Sequence, residues 1–596
     1  MTNKNIEEQE LPADVDTAEQ VELLLDKPSV DGDSSNDNLP KGLRGKIKQK
    51  LSNYRVTYFL IPLAIVFILA TIVMVIPEGS SVALGAAFDV IAGGGGALWL
   101  IYGLIFVAII CILAFSKIGK IRLGKKGEKP YSNFTWAAMI FCSTMAADIF
   151  FFALHEWSIY SGGGGNHYGE ITARSNALPF FHWGLTPWAF YIVLTAIYGF
   201  MFFAIKRRKA QRVSEACRPL LGKMTDKVPG RIIDILSVVG LLLGTATVFA
   251  VTTPLITAGI SRLIGIETGV WLTIVVLLVV VLIYTFVIVR GVKAIAIMSK
   301  INIIIGGVLL ALFFIMGGPM YIIEYGLEGI GYMVNNFFTL STNTISSGGM
   351  HETTVFYWAY WIVFAVATPM FLAKISKGRT IRQVVLGGLI AGLTGTFMVF
   401  AILGGASQNT GMYATDIYGF PIYEAIIEII VSMGGAIWWL PLVILIITMI
   451  CMYVTTFDSI SHTVACAMMK KLDVDKEPSK LSKILWSITF IVLPMALIFV
   501  EAAVDNILTL AIIGAVPLSI LWALVIISFF MTLRKGGLDR ILLEQAKEEV
   551  ITNIVDVDDT VTEDRLCIVE EVNENCDMTL NECAKESNCD KSYDSR

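Results

Sequence analysis

The feature that most constrains this chain is a recurrence. Apolar runs of about 20 residues, each long enough to cross a hydrocarbon core, return twelve times along the sequence. They lie near 56–76, 97–116, 134–154, 182–205, 232–258, 270–289, 301–322, 355–374, 383–404, 437–457, 484–501 and 508–532. Segments of that length and character read as membrane-crossing α-helices. With 55% of 596 residues hydrophobic and 16% charged, the composition excludes a soluble enzyme.

Charge orients the spans. The segment 41–50 and the alternate loops 117–129, 206–231, 290–300, 374–382 and 470–483 carry 5, 6, 9, 3, 4 and 5 Lys/Arg, together 32. The loops between them carry two, Arg174 and Arg262. Basic residues stay on the cytoplasmic side of a membrane, so both termini are predicted to be cytoplasmic, in the plasma (inner) membrane. The chain divides into an acidic tail at 1–50, a transmembrane domain at 51–535 and an acidic tail at 536–596. Both tails are expected to be disordered or loosely helical. The head "NIEEQELPADVDTAEQ" has no basic stretch leading into a short apolar one, so no cleaved signal peptide is expected.

Cys567, Cys576, Cys583 and Cys589 fall in the second tail, without CxxC spacing, and read as free thiols rather than zinc ligands. His155, His167, His182, His351 and His462 have no metal-ligand spacing. "SGGGGNHYG" at 161–169 has no GKS after it and no strand before it, so it reads as an external loop rather than a phosphate cradle. No catalytic constellation, cofactor or nucleic-acid partner is indicated. Twelve spans without a soluble domain fit a carrier or a channel. The amphipathic "EYGLEGIGYMVNNFFTLS", 324–341, is expected along the outer membrane surface. It separates spans 3–7 from spans 8–12, two groups of five, which permits inverted repeats.

"FYWAYWIVF", Phe356 to Phe364, holds six aromatic side chains in nine residues. On a helix Tyr357, Trp361 and Phe364 share one stripe, with Trp358 turned roughly 60° from Trp361. A second cluster, "FHWGLTPWAFY", opens the fourth span with Trp183, Trp188 and Tyr191. An interfacial aromatic belt accounts for such rings at helix ends, and Trp183 fits that role as well as any other. Trp361 lies six residues inside its span, where a box of ring faces around a cation fits better. A quaternary ammonium has no N–H to donate, and ring quadrupoles attract it at ~2 kcal/mol or more per desolvated contact.

"FYWAYWIVFAVATPMFLAKISKGRTIRQVV" resembles the eighth-span signature of the betaine/carnitine/choline transporter family. A Trp-rich helix there runs into an A-[RK]-I-S-[RK]-G-R-[ST]-I-R tail, matched at every position from Ala373 to Arg382. "HWGLTPWAFY", "GRIIDIL" at 230–236 and "VTTFDSIS" at 454–461 resemble further family landmarks. The resemblance covers roughly 50–535. It implies an all-α integral membrane fold of twelve helices, with inverted five-helix repeats of a sodium/amino-acid-symporter-like core in spans 3–12. It also implies homotrimers with contacts from the surface helix. The aromatic box it implies comprises Trp183, Trp188, Tyr191 and Trp361, with Tyr360 and Phe364 where the family usually has Trp.

The third span departs from the family pattern. Where the family has G-M-G-I-G or G-M-G-I-D, this chain has Thr144, Met145, Ala146, Ala147 and Asp148. Glycines let that helix open towards the substrate, and their loss leaves the unwinding open. A carboxylate some fourteen residues into a span costs ~2.5–3.5 kcal/mol on insertion scales and faces a cavity or a partner. Asp148 is therefore read as a counter-charge to an ammonium, a proton carrier or a structural ion-pair partner. A counter-charge favours choline over betaine or carnitine, whose own carboxylate it would repel. For a coupling ion, Na+ or H+, the resemblance implies hydroxyls of Thr455 and Thr456 and carbonyls of Cys142 and Met145, with a proton on Asp148 as the competing route. Met145 and Asp148 thus belong to both candidate sites. Asp234 and Asp458 lie near cytoplasmic helix ends and read as caps or salt-bridge partners. Glu156 matches an acidic family position at the outer entrance. The function expected is secondary transport of a trimethylammonium compound by alternating access. Sodium-coupled betaine or carnitine transport is the alternative within the family, and a membrane sensor or channel the alternative outside it.

Overall fold

A computed structural model describes residues 54–161, 171–204, 211–288, 290, 292–345, 350–412, 422–470, 472, 476–500 and 504–555. The two tails beyond these bounds, the four tail cysteines, His167 and most of the 161–169 loop lie outside the described residues. Among those described, β-structure is limited to two isolated bridges, Tyr54 with Met469 and Arg122 with Thr380.

Ten described helices are long and apolar enough to cross a bilayer. They are Thr57–Val75, Gly96–Phe115, Ala173–Ala204, Val228–Ile264, Val270–Ile288, Lys293–Met316, Ile381–Asn409, Trp439–Met468, Lys480–Phe499 and Ile507–Arg534. Two bent pairs complete the set: Asn133–Thr144 with Ile149–Ile159 at 63°, and His351–Phe364 with Thr368–Ile375 at 55°. Each pair taken as one span gives twelve, numbered here in chain order and standing where the twelve apolar runs stand. Phe67, Leu98, Trp271, Leu282 and Ile315 are exposed on the outside, as lipid-facing positions must be. Buried Thr and Ser collect inside, on the fifth and tenth spans above all.

Boundaries moved where polar residues face inward. The fourth span starts at Ala173, nine residues before its apolar run, because "ARSNALPFFH" is buried against protein rather than lipid. Thr172 caps it reciprocally with Ser175. The helix turns at Trp183 and Gly184 before Leu185–Gly199 continues. A Cβ on Gly184 would collide with the Phe180 carbonyl oxygen. The surface segment is two helices, Pro319–Asn335 and Phe337–Thr342. The first packs on Ala173–His182 and on the ninth span.

The second tail, expected to be disordered or loosely helical, is helical over its described part, as far as residue 555. Leu538–Val555 is a helix docked on the basic 117–129 loop. Gln545 accepts from the Arg122 backbone N–H at 2.9 Å and donates to its carbonyl at 2.8 Å. Lys126–Glu549 and Lys117–Asp539 ion pairs flank that contact.

The two five-span groups contact one another with twofold logic. The first half of span 3 packs on spans 7 and 10, and the first half of span 8 on spans 12 and 5. The second half of span 3 meets span 9, and that of span 8 meets span 4. Every one of these contacts has a counterpart five spans on. Five is odd, so the two groups run with opposite topology, which is the inverted repeat. The two broken spans are the first of each group, and the second half of span 8 packs on the first half of span 3.

Candidate functional site

Both breaks open without glycine. Met145 leaves the first helix at φ −82°, ψ 120°, and Asp148 enters the second at φ −68°, ψ −15°. Those are ordinary extended and helical values for any L-residue. The unwinding that the sequence left open is therefore present. Freed carbonyls find hydroxyls on the tenth span. Thr456 Oγ1 donates to the Met145 carbonyl at 2.8 Å, with that of Cys142 at 3.4 Å. Ser459 and Thr463, whose hydroxyls also bond within their own helix, lie 3.4 and 3.3 Å from the carbonyls of Ser143 and Ala367.

Between the break of span 3 and the first half of span 8 is a narrow cavity of about 20 Å³ lined by Thr144, Met145, Ala146, Asp148, Trp183, Tyr191, Tyr360, Trp361, Phe364 and Thr456. All ten are buried. Trp361 is the hub, with ring centroids 5.7 Å from Trp183, 5.5 Å from Trp188 and 4.9 Å from Tyr191. Tyr360 lies edge-on to Phe364 at 5.3 Å, and its hydroxyl donates to Asp148. A cation sits within ~6 Å of each ring it touches, so rings this close to one another must part to admit one. The box is closed on itself.

Not every expected residue lines the cavity. Trp188 stands behind Trp361 with its ring against Gly392, where a Cβ has no room. Tyr357, although on the stripe, lies one turn away and stacks on His182 at 4.6 Å. Thr455 is turned from Thr456: its hydroxyl accepts from Asn302 at 3.0 Å and donates to the Met452 carbonyl at 3.1 Å. The carbonyls of Cys142 and Met145 therefore meet Thr456 alone of the pair. These oxygens are the donor type a hard cation takes. Thr144 and Ala146 line the cavity through the break itself, which hydropathy could not announce.

The sequence singled out Glu156 and Trp183 separately, but not the cluster that joins them. Glu156, Tyr160, His182, Trp183 and Thr354 join the second half of span 3, the turn of span 4 and the first half of span 8. Glu156 Oε2 accepts from the Trp183 indole N–H at 2.9 Å, and Oε1 lies 2.7 Å from His182 Nδ1. Tyr160 donates to Glu156 at 3.1 Å, and His182 Nε2 is 2.9 Å from the Thr354 hydroxyl. The carboxylate thereby fixes the indole of a cavity residue. Adjacent His182 and Trp183 were the available signal.

The two remaining acids part company. Asp234 pairs with Arg212 at 3.2 Å and accepts from the Ser214 N–H and hydroxyl, each at 2.9 Å. Asp458 is neither cap nor ion-pair partner. It sits ten residues before the end of Trp439–Met468 and is 1% exposed. Neither of its oxygens has a hydrogen-bond partner among the described residues. Among those residues no group of three or more His, Cys, Asp or Glu could hold a metal ion.

Comparison with known proteins bears on most of the chain. A probable glycine betaine transporter of Desulfitobacterium hafniense is 27% identical, covering 80% of this chain and 97% of its own. A carnitine transporter of Acinetobacter baumannii is 27% identical, covering 69% and 77%. A high-affinity choline transport protein of Escherichia coli is 27% identical, covering 59% and 52%. A solved Na+-coupled sialic acid symporter superposes with a TM-score of 0.38 at 12% identity, over 79% of this chain and 92% of that one, a likeness too loose to bear on any residue. The family model described as BCCT, betaine/carnitine/choline family transporter, matches residues 57–537, and with that match spanning all twelve helices the chain belongs to this family of transporters.

Proposed function

We propose that the protein is a secondary active carrier for a quaternary ammonium compound, with choline preferred, working by alternating access. One observation supports this above the others: the mid-chain cavity has five aromatic rings and one carboxylate, Asp148, and no Lys, Arg or His in its lining. Such a lining suits a fixed positive charge. It disfavours a ligand that brings its own carboxylate, as betaine and carnitine do. All lining residues are buried, so the ligand reaches them only after helices move. The breaks in spans 3 and 8, at the interface of the two repeats, are where such movement is expected. Thr456 with the carbonyls of Cys142 and Met145 offers a place for a coupling cation. The carrier resides in the plasma membrane with both termini cytoplasmic and assembles as a homotrimer.

The test is uptake of labelled choline, betaine and carnitine into proteoliposomes, with sodium and proton gradients imposed separately. Saturable choline uptake with countertransport is expected. Flux without saturation indicates a channel, binding without flux a sensor, and betaine or carnitine preference overturns the choline assignment.

A further inference from the structure

Asp458 is the buried acid that the cavity does not use. In the interior an ionised carboxylate persists only when paired or hydrogen-bonded, and otherwise costs several kcal/mol. Asp148 meets that condition through the Tyr360 hydroxyl, and Asp458 does not. No counter-charge pairs with it directly among the described residues. Lys483, 2% exposed, is engaged by Glu477 at 3.2 Å and reaches the Ile288 carbonyl at 3.5 Å. These two are the charged groups whose fields reach Asp458. Spans 3 and 6 bring Cys142 and Tyr284 towards the tenth span, which itself adds Tyr453 and Cys466. Span 8 brings Lys374.

One turn along the same helix face is His462, 1% exposed, whose Nδ1 also has no partner among the described residues. Its Nε2 lies 3.0 Å from Lys374 Nζ, which is also 3.7 Å from Cys466 Sγ. An ammonium only donates, so Nε2 accepts and the proton of the neutral imidazole is on Nδ1, facing along the helix. Lys374 belongs to Thr368–Ile375, the second half of the broken eighth span, and is partly exposed.

Resting on the carrier reading above, we infer that Asp458 binds a transported proton and that His462 relays it between Asp458 and the Lys374 end of the helix. The exchange is a simple one. The carboxyl gains or loses one proton, and the imidazole takes a proton at one nitrogen as it gives one up at the other. A doubly protonated His462 cannot accept from Lys374, so a proton in transit loosens the tenth span from the second half of the eighth, the span whose first half carries Tyr360, Trp361 and Phe364. Proton occupancy and the aromatic box are joined in this way. Asp148 is left as the fixed counter-charge.

The carboxylates of the 206–231 loop do not imitate this pH dependence. Hydrogen bonds from Arg218 hold Asp226 below the usual carboxylate range. A lowered folded value adds stability that is complete above the unfolded pKa of about 4 and is lost only as pH falls through the folded one, away from neutral pH.

The experiment uses the full chain in proteoliposomes containing a trapped pH dye and labelled choline. For the parent, an inward proton gradient drives accumulation and the lumen acidifies as choline enters. Asp458→Asn is expected to bind choline as the parent does, read by tryptophan fluorescence, yet to equilibrate it without accumulation. Asp458→Glu should restore gradient-driven uptake. Accumulation by Asp458→Asn under a proton gradient, or a parent driven by sodium alone, overturns the inference. If the parent binds none of the three ammonium compounds, the carrier reading fails instead. Infrared spectroscopy then still decides the proton site: a neutral-acid carbonyl band lost in Asp458→Asn supports it, and no such band refutes it.

Discussion

At the scale of single residues, Trp361 concentrates the site. It touches Trp183, Trp188 and Tyr191, so truncation removes one ring face from the ligand and the common support of three others. Trp361→Ala is expected to abolish choline uptake, whereas Trp361→Phe, which keeps a smaller ring face, should retain some. A desolvated cation–π contact of about 2 kcal/mol corresponds to roughly 30-fold in affinity, so choline binding by the Phe variant should weaken by up to that factor. Asp148→Gly removes the counter-charge and the partner of Tyr360, and should move preference from choline towards betaine in paired uptake assays. Unchanged preference would take Asp148 out of the selectivity argument. Such aromatic positions were legible in the sequence because rings are rare enough to stand out at helical spacing. Trp188 and Tyr357 were legible as aromatic but not as non-lining, since a helix wheel cannot say which neighbour covers a face.

At the scale of elements, hydropathy located every span and misjudged the ends of several. It averages over a window and so treats a polar residue facing protein like one facing water. The run at 437–457 stops inside "TTFDSISHT", yet the helix continues to Met468 because the hydroxyls of Thr456, Ser459 and Thr463 face the breaks of spans 3 and 8. Asp458 was placed near a helix end for the same reason. The unwinding of span 3 was illegible for a different one: it depends on who accepts the freed hydrogen bonds, not on whether glycine is present. Thr456→Val tests that directly. It leaves the Met145 carbonyl without its hydroxyl, a loss on the order of 1–3 kcal/mol, and should lower the melting temperature in detergent, while Thr456→Ser should not. Equal melting of all three proteins would mean that the tenth span does not hold the break open.

At the scale of the molecule, the two outer attachments differ in what holds them. Leu538–Val555 is clasped to the 117–129 loop by Gln545 on the Arg122 backbone. Its flanking ion pairs are largely solvent-exposed, where such pairs contribute ~0–1 kcal/mol and fade with salt. The surface helix Pro319–Asn335 instead buries one side and leaves another bare. Tyr325 and Gly329 face the protein, with Gly329 close against Phe180. Met320, Leu327 and Val334, spaced by seven, are 66%, 71% and 65% exposed. A seven-residue apolar repeat is the pattern of a seam between helices, and lipid alone requires no such register. For the homotrimer proposed above, Leu327→Arg with Val334→Arg should leave monomers in light scattering of the solubilised protein, and a parent that is itself monomeric overturns the trimer. Choline binding should persist, because the substituted side chains lie on the face turned away from the cavity. A double variant that stays trimeric would assign this stripe to lipid and place the proposed trimer contacts on another surface.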